Sequence, residues 1–263
     1  LNRRLPMPTV MLLSKIYSNH QLKLVEDYVK SSFKGLKVQM ESVEAAINNW
    51  VQITFYGEDE KAALSYLENE IGLCPVHMES LKRLSTMKGY LTSLGESKDE
   101  ICVDIGIISP KTVYATIPLQ QLQAQLADGR KIALKKLAEF FGFWENLPLT
   151  VKVIELNENH IEATIAETQL KLYKRWVKSL LDRLIILGAS RYEMRKALKD
   201  SKCQNDIVEI ESLGLFEYAV ACKLGTDAVG LIPKIGKHLP NATLRTFNPK
   251  ALLGLFQDLF INH

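Results

Sequence analysis

The alternation of apolar and polar positions divides the chain into three stretches. In the first, an apolar run over residues 8–17 with Val10, Leu12 and Leu13 predicts a strand. Leu22, Val25, Val29 and Phe33 then recur at helical spacing behind Ser18 and Asn19, residue types that suit a helix start. Gly35 is placed to end that helix. Strands are predicted at 36–40 and 50–55, and Ala63, Leu64, Leu67 and Ile71 mark a second helix closed by Gly72. A last strand over 73–78 completes the order strand, helix, strand, strand, helix, strand. That is the order of a ferredoxin-like split βαβ sandwich over residues 1–80, with one sheet face under its helices and the other free.

The second stretch holds five short segments rich in β-branched and aromatic residues, at 87–95, 101–107, 112–119, 148–155 and 160–165. Five antiparallel segments with no edge to spare predict a closed barrel of OB type over residues 86–168. A helical insertion over 120–142 separates the third strand from the fourth. Its second helix has Lys135 and Lys136 on one edge and Leu137, Phe140 and Phe141 on an apolar side. Phe143 and Trp144 follow, as core or lid residues or as a stacking platform.

The third stretch, 169–263, reads as basic helices leading into a small α/β module. One amphipathic helix is predicted over 167–187, with Leu170, Tyr173, Val177, Leu180 and Leu184 in one stripe and Gly188 at its end. Ser190 with Glu193 three residues on predicts a capping box opening the next helix. Strands are predicted at 207–212, 215–222 and 242–247. A terminal helix is expected to bury Leu252, Leu255, Phe256 and Leu259. The expected fold class is therefore α+β and multidomain.

Of the 263 residues, 47% are hydrophobic and 24% charged, with a net charge of +3. The charge distribution is more informative than its sum. From Lys171 to Lys202 there are ten Lys or Arg against three Asp or Glu; from Cys203 to Cys222 there are four acids and no base. A locally electropositive surface is expected. The cations Lys171, Lys174, Arg175, Lys178, Arg191, Arg195, Lys196 and Lys199 are the candidates for phosphate contact. On the barrel, Lys88, Tyr90 and Tyr114 are the candidates for contact with bases. Gly225, Thr226, Asp227 and Gly230 could form a phosphate-binding loop at a helix start, with Lys223, Lys234 and Lys237 adding charge. A plain turn and a capped short helix explain the same residues. The loop lacks the Gly-Lys-Ser/Thr ending of nucleotide hydrolases.

Cysteines at 74, 102, 203 and 222 lack ligand spacing, so no metal site, cofactor or disulfide framework is expected, and the setting reads as cytoplasmic. The first six residues lack the apolar region of a signal peptide, and no apolar run is long enough to span a membrane. Asp104, Glu209 and Glu211 are acids within strand-like runs, and nothing in the sequence fixes their separation.

Gly89, the run 103–106, the run 115–119 and the run 151–155 resemble the OB-type RNA-binding repeat named after the largest bacterial small-subunit ribosomal protein. The runs 103–106, 146–148, 182–184, 188–189, 206–207, 211–215 and 222–236 resemble a conserved archaeal family of unknown function, over nearly the whole chain. The resemblance implies an archaeal cytoplasmic protein tied to translation or transcription. The expected activity is non-enzymatic RNA or ribonucleoprotein binding. The alternatives are a protein–protein adaptor in an information-processing complex and an RNA-processing enzyme with an acidic site.

Overall fold

A computed structural model of the chain describes residues 8–255 other than 93, 95–98 and 158. The N-terminal unit runs β1 (Thr9–Lys15), α1 (Asn19–Ser32), β2 (Val38–Ala45), β3 (Trp50–Gly57) and α2 (Glu60–Glu70). Its sheet has the order β1-β3-β2, with both pairings antiparallel. Leu12, Val51, Ile53 and Phe55 pack against Val25 and Val29 of α1 and Ala63 and Leu67 of α2. The helical stripes read from the sequence are the buried ones.

The expected last strand of this unit is divided. Leu73 bridges Leu12, and Cys74 donates its amide to Met11 at 2.8 Å, so the chain starts to pair beside β1. Pro75 offers no donor to extend that pairing, and Val76 adopts a left-handed φ of 62°. The chain turns there. The short β4 (Val76–His77) pairs in parallel with the central sheet instead. Nor is the outer face of the N-terminal sheet free, because Met11, Trp50 and Cys74 bury against Tyr90 of the central unit.

The five expected central segments form β5 (Thr86–Leu91), β6 (Glu100–Ser109), β7 (Val113–Pro118), β8 (Pro148–Asn157) and β9 (His160–Ile165). β5 pairs with β6 and β8, β6 with β7, and β8 with β9, all antiparallel. A parallel β7–β9 pairing shuts the cylinder. Leu91, Val103, Ile105, Ala115, Ile117, Val151 and Ile161 are among its buried residues. Two glycines permit the closure. A Cβ on Gly89 would lie 2.5 Å from the Asp104 carbonyl oxygen, so β5 could not approach β6 as it does. Gly106, with φ +82°, sits where the β6–β7 register shifts, and a Cβ there would meet Cys74 at 2.5 Å. The insertion forms α3 (Leu119–Leu126) and α4 (Leu134–Phe141), which bury Leu122, Leu126, Leu134, Leu137 and Phe141 in the barrel core.

The expected helix over 167–187 is two elements. α5 (Glu167–Ser179) ends where Leu180 turns left-handed at φ 57°, and β10 (Arg183–Leu187) follows. Leu184, Ile185, Ile186 and Leu187 are all buried, and a short apolar run of this kind fits a buried strand as well as a helix. Then come α6 (Arg191–Asp200), β11 (Ile207–Ser212), β12 (Glu217–Cys222), α7 (Ala228–Gly236), β13 (Thr243–Phe247) and α8 (Pro249–Leu255). Ser190 and Glu193 make both bonds of the expected capping box. The expected burial of Phe256 and Leu259 in a terminal helix lies outside the described residues.

The C-terminal sheet has the antiparallel order β11-β12-β10-β13. Its two faces serve different cores. Ile185, Leu187, Ala219 and Phe247 face the barrel side, with Tyr173, Trp176 and Val177 of α5. Leu184, Ile186, Tyr218 and Val220 face away, under Met194, Ala197 and Leu198 of α6 and Ala228, Leu231 and Ile235 of α7. Among the described residues no helix is long and apolar enough to cross a membrane.

Candidate functional site

The two faces of the C-terminal sheet decide where the basic residues lie. α5 buries Tyr173, Trp176 and Val177 on the barrel side, and α6 packs on the opposite side. The two basic helices, expected to adjoin, are therefore separated by a sheet. On α5, Lys171, Lys174, Arg175 and Lys178 are exposed. Part of their charge is answered locally: Lys171 pairs with Glu167 at 2.8 Å, and Arg175 pairs with Glu211, which also accepts from Trp176 Nε1 at 2.9 Å.

α6 and α7 lie in one layer on the far side. There Arg191, Arg195, Lys196 and Lys199 are exposed on α6, and Lys234 and Lys237 at the end of α7. The acids of these two helices are Glu193 and Asp200, and Glu193 is engaged in the capping box. Tyr192 stands among the cations with 73% of its surface exposed, enough for a ring to stack on. Lys223 is exposed on the turn before α7.

At the candidate phosphate loop two of the protein's own carboxylates already accept backbone amides. Asp227 is the N-cap of α7 and accepts from the Val229 amide at 3.0 Å. Asp182 takes the Ala228 amide at 3.4 Å. Burial raises the Asp182 carboxyl above its usual range, and the nearby Asp227 charge adds to the rise. A phosphate in this hollow, between Lys223, Thr226 and Lys250, would face both acids. Gly225 takes φ 90° on the exposed turn, and Gly230 lies within α7 rather than on the loop.

On the barrel, Tyr90 is fully buried and is withdrawn from any surface. Its ring meets Trp50 edge-on at 5.4 Å. Lys88 is half-buried, donates to the Leu213 carbonyl, and has its proton affinity lowered by burial. Tyr114 keeps 37% of its surface and accepts from Asn48 Nδ2 at 3.3 Å, so it alone of the three offers a ring to solvent.

Tyr114 borders a cleft of about 580 Å³ between the N-terminal unit and the faces of β6 and β7. At its base Lys15 and Asp104 form a buried ion pair at 2.8 Å. Asp104 also accepts from Asn48 Nδ2 at 3.0 Å, Trp50 Nε1 at 3.1 Å and the Gly106 amide at 3.0 Å. Glu100 and Glu145 line the rim. Asn48, Asn49 and Asn146, all lining the cleft, adopt left-handed φ values of 58°, 62° and 64°. Asparagine tolerates that region better than other residues with a Cβ. The barrel face that the sequence offers to RNA is thus narrowed and carries three acids against one paired lysine.

A second polar cluster lies where all three units meet, and no motif in the sequence announces it. Glu217 of β12 is fully buried and accepts from Tyr17 Oη at 2.7 Å and Tyr90 Oη at 3.4 Å. Burial pushes its carboxyl up to about 7, against the lowering effects of Tyr17 and Lys88. Its only sequence sign is one acid in an otherwise apolar run. Asp104, Glu209 and Glu211 are not gathered into one acidic site: Asp104 lies under the cleft and the other two on β11. Among the described residues no group of three or more His, Cys, Asp or Glu is arranged to hold a metal ion.

Three family models match in register with the three units: the DUF2110 N-terminal domain over residues 9–75, the central domain over 82–177 and the C-terminal domain over 181–247. The chain belongs to the DUF2110 family. In this DUF2110 chain α5 falls within the central match and β10 opens the C-terminal one. No curated protein matches. A crystal structure of a Thermus thermophilus protein is similar at 12% identity with a TM-score of 0.18, over 97% of this chain and 43% of that one.

Proposed function

We propose that the protein is a non-enzymatic RNA-binding factor that contacts phosphates through the α6–α7 layer of its C-terminal unit. The observation that carries this reading is the set of exposed cations there, Arg191, Arg195, Lys196, Lys199, Lys234 and Lys237, with Glu193 committed to a cap. Such contacts fix the position of a polyanion without selecting its sequence. Tyr192 supplies the stacking surface. We read the central cylinder as OB-type from its strand pairing, its parallel β7–β9 closure and the helices between β7 and β8. Both outer units follow the strand and helix order of a split βαβ, shortened in the N-terminal case. Archaeal translation or transcription is the setting that the resemblance implies.

The test is a mobility-shift titration with single-stranded and stem-loop RNA across a salt series. Binding is expected to weaken steeply, since each phosphate contact releases about one counterion. Absent binding, or affinity indifferent to salt, would overturn the reading.

A protein adaptor is the second reading, and the cleft favours it. Its rim acids Glu100 and Glu145 suit a basic side chain of a partner better than a phosphate, because Lys15 is already engaged by Asp104. A stoichiometric partner that survives nuclease treatment and is lost from Glu100→Lys would support this reading over RNA.

A further inference from the structure

A hollow of about 630 Å³ opens at the seam between the helical insertion and the C-terminal sheet. Leu134 and Ala138 of α4 form one wall, Phe143 and Trp144 another, and Arg245 and Thr246 of β13 the third. Neither proposed function uses it. Most of this lining is hydrocarbon, and the volume is that of an ordinary small-molecule site.

Arg245 is the exception among these walls. It pairs opposite Ile185 and so projects from β13 on the barrel side, as Phe247 does two residues later. Its guanidinium lies 3.3 Å from the centroid of the Trp144 ring. Trp144 remains 42% exposed, so the stacked pair stands at the edge of the hollow rather than within a sealed core. Arg245 Nε is shielded from water and has no hydrogen-bond partner among the described residues. A shielded donor on a cation, left without an acceptor, is costly. Burial lowers the proton affinity of the guanidinium. The remaining polar neighbours, Lys135 and Glu139, are exposed residues of α4 at the mouth.

A carbon-lined cavity with an oriented guanidinium whose Nε has no partner among the described residues suits a ligand with an apolar body and a single planar anionic head. We propose that this hollow binds an amphiphilic monocarboxylate, with its chain between α4, Phe143 and Trp144 and its carboxylate on Arg245. The stack on Trp144 fixes the plane of the guanidinium, which spares the ligand the cost of ordering it.

Calorimetric titration of the full chain with decanoate and, separately, with decanol tests this. Decanoate is expected to saturate at one per chain and to bind at least about tenfold more tightly than decanol, the margin of a charge-assisted hydrogen bond. Arg245→Gln should bring decanoate down to the decanol level and leave decanol unchanged. Arg245→Lys should keep part of the preference, and Ala138→Phe, which fills the hollow, should weaken both. Equal affinity of the two ligands for the unaltered chain overturns the proposal, and so does decanoate binding that ignores Arg245→Gln. The first comparison needs no variant, so a variant that fails to fold leaves the test intact. RNA binding is not expected to change in Arg245→Gln.

Discussion

Glu217 is a carboxyl group placed where the three units meet and where no water reaches it. Its ordinary value is near 4.5 and its folded value about 7, so the folded chain favours the protonated form. Stability from this group is then complete below about pH 4 and is lost as pH rises through about 7. The difference is on the order of 3 kcal/mol. Urea midpoints measured from pH 4 to pH 8 should therefore fall in the unaltered chain, and Glu217→Gln should flatten that fall. An unchanged slope in the variant would show that another group is responsible. The Lys15–Asp104 pair makes a different prediction. Lys15→Met would leave the buried Asp104 side chain with only neutral donors, and should cost about 3–5 kcal/mol in a urea titration. The sequence shows Asp104 as an acid in an apolar strand, but its partner lies 89 positions away. No local pattern links two such residues, which is why the junction was illegible while each charge was visible.

At the scale of elements, the five barrel strands were readable because each alternates and is bounded by turn residues. The Ser190 cap was readable because its two halves are three residues apart. The division of 167–187 was not, since Leu184 keeps the helical stripe in phase while the residues around it form a buried strand. That one strand sets α5 and α6 on opposite faces and splits one expected basic surface into two. Reversing charge on each helix separates their roles. Lys196→Glu with Lys199→Glu should weaken RNA binding and lower the salt slope by about two. Lys171→Glu with Lys174→Glu should leave both within experimental error. Mobility shifts at several salt concentrations give the comparison, and equal losses from the two pairs would overturn the assignment of the contact to the α6–α7 layer alone.

At the scale of the molecule, the barrel and the C-terminal sheet share a core. Phe247 stacks on Tyr173 at 6.2 Å and meets Phe141 and Trp176 edge-on, so one ring of β13 touches both α4 and α5. Phe247→Ala should cost about 3–5 kcal/mol. Amide exchange should show the loss in central and C-terminal strands together, since neither keeps its core when that ring is gone. Protection lost from β13 alone would mean that the two units unfold independently. The family matches divide the chain near residue 180, yet the packing continues across that point.

β10 runs through the middle of this arrangement with its side chains alternating between two unlike neighbourhoods. Ile185 points to the seam beside Arg245, and Ile186 points under the charged helices. Residues adjacent along the chain are thus opposite in consequence. In a saturation scan of β10, ligand phenotypes should recur at odd positions and nucleic-acid phenotypes at even ones, a two-residue rhythm that a single shared interface could not produce.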